Sequence, residues 1–252
     1  MASDPALAPI APLPAEVALP RHVGVIMDGN GRWATARGKP RTEGHKAGVE
    51  ALQRLIRLAG ERGIPYLTVF SFSSENWRRP QEEINFLFNL LRRFVASDLE
   101  KLVKGRVKVV VLGERDRLDA ATCALIDQVE TRTRGGDRLQ LNIAFNYGSQ
   151  IELARATREI AEAAVAGRLD PAAITPETVG AHLYTAGIPD PDLILRTGGE
   201  KRLSNFLLWQ AAYAEFVFVD ETWPEFDEKV FDRVLEEYGR RQRRFGGLGP
   251  AD

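Results

Sequence analysis

Asp28 stands out chemically because of its neighbours: Gly29-Asn30-Gly31, then Arg32. Glycines flanking an asparagine permit positive φ, so successive amides can converge on an anion as a nest. Arg32 adds a forked cation matched to phosphate. A carboxylate beside such a nest is repulsive unless a metal ion sits between it and the phosphate. The chemistry indicated is a metal-assisted diphosphate site. On this segment alone, a tight turn with a capping aspartate is the plain alternative.

Further polar groups recur after apolar runs. His45 falls in the first turn of a predicted helix, Thr42 to Arg62, where free amides favour an anion; a solvated surface histidine is the alternative. Ser73-Ser-Glu-Asn-Trp77, with Arg78 and Arg79, comes after a second strand, Tyr66 to Phe72. Asn146-Tyr-Gly148 comes after a strand at Leu139 to Phe145, and Arg196-Thr-Gly-Gly199 ends a strand at Asp192 to Arg196. In parallel sheets, ligands collect beyond the strand C-termini, so four polar clusters at that edge point to one site.

The elements that must position them are legible from periodicity. Val23, Val25, Ile26 and Met27 predict a buried first strand. Pro80 sets φ for a helix from Gln81 to Lys104. Its Ile84, Phe86, Leu87, Phe88, Leu90, Leu91, Phe94 and Val95 span too wide an arc for an ordinary surface helix. That helix either packs on two sides or lines an apolar cavity. Strands at Arg106 to Leu112 and Phe216 to Val219 and helices at Asp119 to Arg132, Thr175 to Tyr184 and Asp227 to Arg243 complete the pattern, with Ser149 expected to cap a helix to Ala166. Strand–helix alternation without a repeat or linker predicts one α/β domain, a central parallel sheet of about six strands flanked by helices on both faces.

Composition narrows the function. With 34 Lys plus Arg against 35 acids, the net charge is -1, so no broad basic surface suggests nucleic acid, and any anion site is local. The single cysteine, Cys123, excludes an internal disulfide and a cysteine metal cage. No apolar run approaches the ~20 residues of a membrane span, and no signal peptide is visible. A cytoplasmic protein is expected, with residues 1–20, rich in Ala and Pro, as a disordered tail and 248–252 as a flexible end.

Taken in order, five motifs resemble the cis-prenyltransferase family, which includes bacterial undecaprenyl diphosphate synthases. They are Met27-Asp-Gly-Asn-Gly-Arg-Trp33, Gly44-His-Lys-Ala-Gly48, Phe72-Ser-Ser-Glu-Asn-Trp-Arg-Arg-Pro80, Asn142 with Asn146-Tyr-Gly148, and Arg196-Thr-Gly-Gly199 with Arg202-Leu-Ser204 and Tyr213-Ala-Glu215. The match runs from about His22 to Gly247, making 21–247 the catalytic domain. The resemblance implies a homodimer, a hydrophobic tunnel opening at the sheet's C-terminal edge, and Mg²⁺-dependent cis-addition of isopentenyl diphosphate to an allylic diphosphate such as farnesyl diphosphate. An undecaprenyl diphosphate product is expected, with peripheral membrane contact at its release.

The resemblance also implies roles for individual residues. Gly29, Asn30, Gly31, Arg32, Arg41 and His45 hold the allylic diphosphate. Arg196, Arg202, Leu203 and Ser204 hold isopentenyl diphosphate. Asp28 and Glu215 are the oxygen ligands for Mg²⁺, and two carboxylates suffice. Asn76 sits by the carbon that loses a proton, with Ser73, Ser74 and Glu75; an amide is a poor base, so positioning is its expected role. Trp77 and Arg79 complete the loop, and Trp33 and Phe72 either face the prenyl chain or pack structurally. Two departures are Phe145, where relatives often carry a smaller residue, and Gly148-Ser-Gln150, where many have Gly-Gly-Arg. Arg244-Phe-Gly246 resembles a segment that reaches a partner subunit, or is a frayed helix end. A non-catalytic subunit would lack Asp28 and much of the diphosphate loop; a phosphohydrolase has no use for the long apolar arc.

Overall fold

The computed structural model of the chain describes residues 17–241. The segment Arg244-Phe-Gly246 and most of the expected N-terminal tail lie outside them. Six strands form one all-parallel sheet: β1 (His22–Ile26), β2 (Tyr66–Ser73), β3 (Val107–Leu112), β4 (Leu139–Tyr147), β5 (Leu193–Arg196) and β6 (Glu215–Phe218), in the order β3-β4-β2-β1-β5-β6. Most positions of the central strands are apolar because both faces are covered. Between them run α1 (Asn30–Thr35), α2 (Arg41–Glu61), α3 (Gln81–Lys104), α4 (Ala120–Thr133), α5 (Ser149–Val165), α6 (Pro176–Ala181) and α7 (Glu228–Gly239). None of these is long and apolar enough to cross a membrane.

Side-chain alternation divides the core. Val23, Val25, Leu67, Val69, Leu141 and Leu195 pack with α2, α3 and α7 in one cluster. Ile26, Ala144, Tyr147 and Ile194 pack on the opposite face with Phe206, Leu207 and Ala211. That second face is covered largely by an irregular segment.

Three expectations need correction. Gly29-Asn30-Gly31 is not an extended nest: Gly29 alone has positive φ (106°), and Asn30 starts helix α1. Ser149 is the first helical residue of α5, preceded by Gly148, which gives no side-chain cap. The expected helix Thr175 to Tyr184 shrinks to Pro176–Ala181, begun by a cap from Thr175 to the Thr178 amide.

A buried polar chain crosses β1, β2 and β4. His22 Nδ1 lies 2.6 Å from the Pro189 carbonyl, which can only accept, so Nδ1 carries the proton. Nε2 then accepts from the Thr68 hydroxyl (2.7 Å), whose oxygen accepts from Asn142 Nδ2 (2.9 Å). This order requires a neutral ring. Burial is the dominant influence and pushes His22 down to about 4, against the opposing Pro189 contact and Asp192 charge. Below pH 6.5 the unfolded chain therefore takes a proton that the folded protein refuses until about pH 4. The contribution is fully present above 6.5 and is lost as pH falls through that window. Urea titrations should show a loss of about 2 kcal/mol between pH 7 and pH 5 that His22→Gln largely removes; an identical pH slope in the variant would contradict the neutral-ring reading.

Candidate active site

The C-terminal ends of β1, β2, β4 and β5 converge on one cavity of about 770 Å³. Its mouth is polar, lined by Asp28, Asn30, His45, Ser73, Glu75, Asn76, Arg79, Arg196, Arg202 and Ser204. Its depth is apolar, between Val49 and Leu52 of α2, Leu87, Leu90, Leu91 and Phe94 of α3, and Phe72, Ile143 and Phe145 of the sheet. The wide apolar arc of α3 is thus explained by both alternatives at once: it lines the cavity and packs on the core.

Arg196, at the end of β5, organises the mouth. Its side chain is 5% exposed, and Nη2 donates to Asp28 Oδ2 at 2.9 Å. Nη1 reaches the Arg202 carbonyl (2.5 Å) and Ser204 Oγ (2.9 Å). Arg32 also approaches Asp28 Oδ2, at 3.3 Å, while the Gly29 amide donates to Oδ1 at 2.6 Å. Burial alone would raise the Asp28 pKa; the Arg196 hydrogen bond and charge, then Arg32 and the Gly29 amide, outweigh it and hold the carboxyl below its usual range. Two buried atoms at the mouth have no protein partner: Arg196 Nε and Asn30 Oδ1. Unpaired buried polar atoms are costly, and a polar ligand is one way to satisfy them.

A second cluster stands across the mouth. Glu83 Oε1 meets Arg79 (2.8 Å), His45 Nε2 (3.3 Å) and Arg41 (3.7 Å), tying the starts of α2 and α3 together. Burial lowers the His45 pKa more than Glu83 raises it. Arg41 also lies against Gly31: a Cβ there would come within 2.7 Å of its guanidinium. Gly48 similarly makes room for the Asn30 amide, 2.6 Å from where its Cβ would stand. Both glycines let α1 and α2 pack closely at the mouth.

The Ser73–Asn76 turn is fixed from within. Asn76 Oδ1 accepts from the Ser73 amide at 3.0 Å, which fixes the side chain in the turn, and an amide is too weak a base to take a proton. Glu75 Oε1 accepts from Asn205 Nδ2 at 2.8 Å. Trp77 points away from the cavity, donating to Asn146 Oδ1 (2.7 Å) beneath Arg117, whose guanidinium lies 4.3 Å from the ring centroid. Trp33 stands between Arg37 and Lys39, 4.7 and 5.5 Å from its centroid, and Leu203 packs on the second core cluster. These three support the loops and do not line the cavity.

Glu215 is the main departure from the expected site. It pairs with Leu193 at the start of β6, whereas Asp28 lies two residues past Ile26, the partner of Arg196. By register, Glu215 lies three residues nearer the N-terminal edge of the sheet than Ile26, the last residue of β1. Glu215 instead accepts from Arg241 at 2.9 Å. Among the described residues, no group of three or more His, Cys, Asp or Glu side chains could cage a metal. Mg²⁺ needs only one or two carboxylates when substrate phosphates supply the rest, so Asp28 alone fits it in the presence of diphosphate.

Glu83, Asn205 and Trp223 are site residues that sequence reasoning missed. Glu83 was findable as the (i, i+4) partner of Arg79 in a helix start. Trp223 closes the cavity wall by donating Nε1–H to the Gly48 carbonyl at 2.8 Å, a contact across 175 residues with no local signature.

Asp28→Ala would leave the buried Arg196 guanidinium short of an acceptor. Chemical denaturation should show a loss of about 1–3 kcal/mol; unchanged stability would mean that Asp28 is not its effective counter-ion.

The family model described as "Putative undecaprenyl diphosphate synthase" matches residues 26–246. Isoprenyl transferase 2 of Bradyrhizobium diazoefficiens is 56% identical over 243 residues, 96% of each chain. Isoprenyl transferase of Brucella abortus is 54% identical, covering 92% of this chain and 91% of the relative. Among solved structures, lavandulyl diphosphate synthase from Lavandula x intermedia in complex with dimethylallyl diphosphate superimposes with a TM-score of 0.88 at 34% identity, over 90% of this chain and 98% of that one. A probable undecaprenyl diphosphate synthase from Campylobacter jejuni gives 0.75 at 36% identity, over 91% and 99%. With the sheet, the cationic mouth and these relatives in agreement, the chain belongs to the undecaprenyl diphosphate synthase family of cis-prenyltransferases and is a transferase.

Proposed function

We propose that this protein adds isopentenyl diphosphate units in cis geometry to an allylic diphosphate, farnesyl diphosphate in the first instance, with Mg²⁺ as cofactor. One observation carries the proposal: a cationic mouth around Asp28 opens directly into an apolar cavity. Diphosphates and a hydrocarbon tail need those two environments joined. The solved relative with dimethylallyl diphosphate supports an allylic diphosphate as ligand class.

Roles can be assigned from chemistry and position. Asn30, Arg32, Arg41, His45 and the first amides of α1 hold the allylic diphosphate, whose chain extends between α2 and α3. Arg196, Arg202 and Ser204 hold isopentenyl diphosphate with forked donors and a hydroxyl. Asp28, with diphosphate oxygens, would hold Mg²⁺, which would supply charge neutralisation for the departing pyrophosphate. The allylic C–O bond breaks, a C–C bond forms to the terminal alkene carbon, and a proton leaves C2 of the incoming unit. Asn76 orients that unit, and a pyrophosphate oxygen is the proposed proton acceptor. Glu215 would serve a metal only if contributed from another copy of the chain. A homodimer is part of the same proposal.

Undecaprenyl diphosphate is the product that the family favours, but the cavity favours a shorter-chain reading. Leu91, Phe94, Ile143 and Phe145 close its inner end, with a void of only about 10 Å³ behind them. Phe94 also lines a separate cavity of about 360 Å³ between the far halves of α2 and α3. A long chain must displace this aromatic wall to continue.

Incubation with radiolabelled isopentenyl diphosphate, farnesyl diphosphate and Mg²⁺ should give chain extension that Asp28→Ala reduces by at least ~100-fold, about 2.7 kcal/mol of transition-state stabilisation. No extension by the wild type, or phosphate release alone, would refute the function. In the same assay Phe94→Ala should shift chromatographed products to longer chains; an unchanged distribution would remove Phe94 from length control.

A further inference from the structure

Asn205 lies between the two halves of the site and fastens them to a common support. Its φ is 65°, a left-handed conformation that asparagine tolerates better than most residues. Its carbonyl accepts from the Ser149 amide and its Oδ1 from the Gln150 amide, both at 2.9 Å. These are the first amides of α5, which Gly148 leaves without a side-chain cap. Asn205 is thus a cap delivered across the fold. Its Nδ2 donates in the other direction, to Glu75 Oε1 at 2.8 Å. A backbone N–H must meet the oxygen and a carboxylate the nitrogen, so the amide orientation is fixed by its partners.

The surroundings are built for this contact. A Cβ on Gly148 would stand 2.5 Å from Ser74 Oγ and 2.8 Å from Asn205 Nδ2. Gly148 has ordinary negative φ (-159°), so glycine is required there by close approach. On one side Asn205 adjoins Ser204, which Arg196 holds together with the Arg202 carbonyl. On the other it grips Glu75, next to Asn76, whose side chain closes the turn on Ser73. Among the described residues this amide is the hydrogen-bonded link between the two loops, and beside it Phe206 stacks on Phe70 of β2 with ring centroids 4.8 Å apart.

We propose that Asn205 is a positioning residue that holds the Arg202–Ser204 loop in register with the Ser73–Asn76 turn, and so places the incoming isopentenyl diphosphate against Asn76. This rests on the function proposed above. The group acts through its neighbours and takes no part in bond making.

The test is steady-state kinetics on four variants. Asn205→Gly keeps the left-handed backbone and removes the side chain. Asn205→Asp keeps the acceptor for Gln150 but turns a like charge on Glu75. Each should raise the KM for isopentenyl diphosphate about tenfold, the scale of a lost hydrogen bond to a charged group, and lower kcat, with the KM for the allylic primer within twofold. Glu75→Gln alone should also raise the isopentenyl KM. Combined as Asn205→Asp/Glu75→Gln, the donor and acceptor exchange places and activity should return to within threefold of wild type. Wild-type kinetics in Asn205→Asp, or equal rises in both KM values without rescue in the double variant, would overturn the proposal. If the wild type catalyses no condensation, the functional reading falls, and amide hydrogen exchange decides on Asn205 separately: Asn205→Gly should speed exchange at residues 73–76 and at Gln150, and unchanged protection there would refute the link.

Discussion

A guanidinium buried where two diphosphates are proposed to meet is the constraint on which the rest of this structure depends. Taking Arg196 out of water is expensive unless its donors are matched, and breaking such a pair leaves an uncompensated charge. The matching groups come from two places: the carboxylate of Asp28 after β1, and the Arg202 carbonyl and Ser204 hydroxyl of the loop between β5 and β6. Satisfying one side chain therefore fixes the positions of loops that are distant in sequence. The same arrangement favours the ionised form of Asp28, which its proposed role toward Mg²⁺ requires.

Across the mouth, Glu83 does for His45, Arg79 and Arg41 what Asp28 does for Arg196. Each acid holds a set of cations in place before any ligand arrives. Without them, cations converging on one opening would repel each other, and a chain with net charge -1 offers no general field to offset that. Behind the mouth, the apolar cavity exists because α3 is hydrophobic on more than one side. Gln53 of α2 donates to the buried Asp98 of α3 at 2.7 Å, which ties the two helices beyond the cavity's inner wall.

Much of this was legible in the sequence, for local reasons. Apolar runs placed the six strands, and Pro80 with the apolar pattern after it placed α3. Polar clusters after the strands marked the correct sheet edge. What failed depended on contacts between distant segments or on competing local conformations. Gly29-Asn30-Gly31 permits both a nest and a helix start, and the packing of Arg41 on Gly31 accompanies the helix. Ser149 is a good capping residue by type, but its hydroxyl accepts instead from the Leu208 amide while Asn205 satisfies the helix. Glu215 belongs to the right motif at the wrong end of a strand, and only sheet register shows that. Trp77 belongs to the expected substrate loop, yet its indole N–H is committed to Asn146.

The central claim is that one opening receives both diphosphate heads and that the hydrocarbon occupies the cavity between α2 and α3. A crystal structure with isopentenyl diphosphate and a non-reacting thio-analogue of farnesyl diphosphate tests it most directly. The account predicts one diphosphate on Asn30, Arg32 and His45, the other on Arg196, Arg202 and Ser204, and the farnesyl chain running toward Phe94. A farnesyl chain lying outside that cavity, or a diphosphate bound away from Asp28, would contradict it.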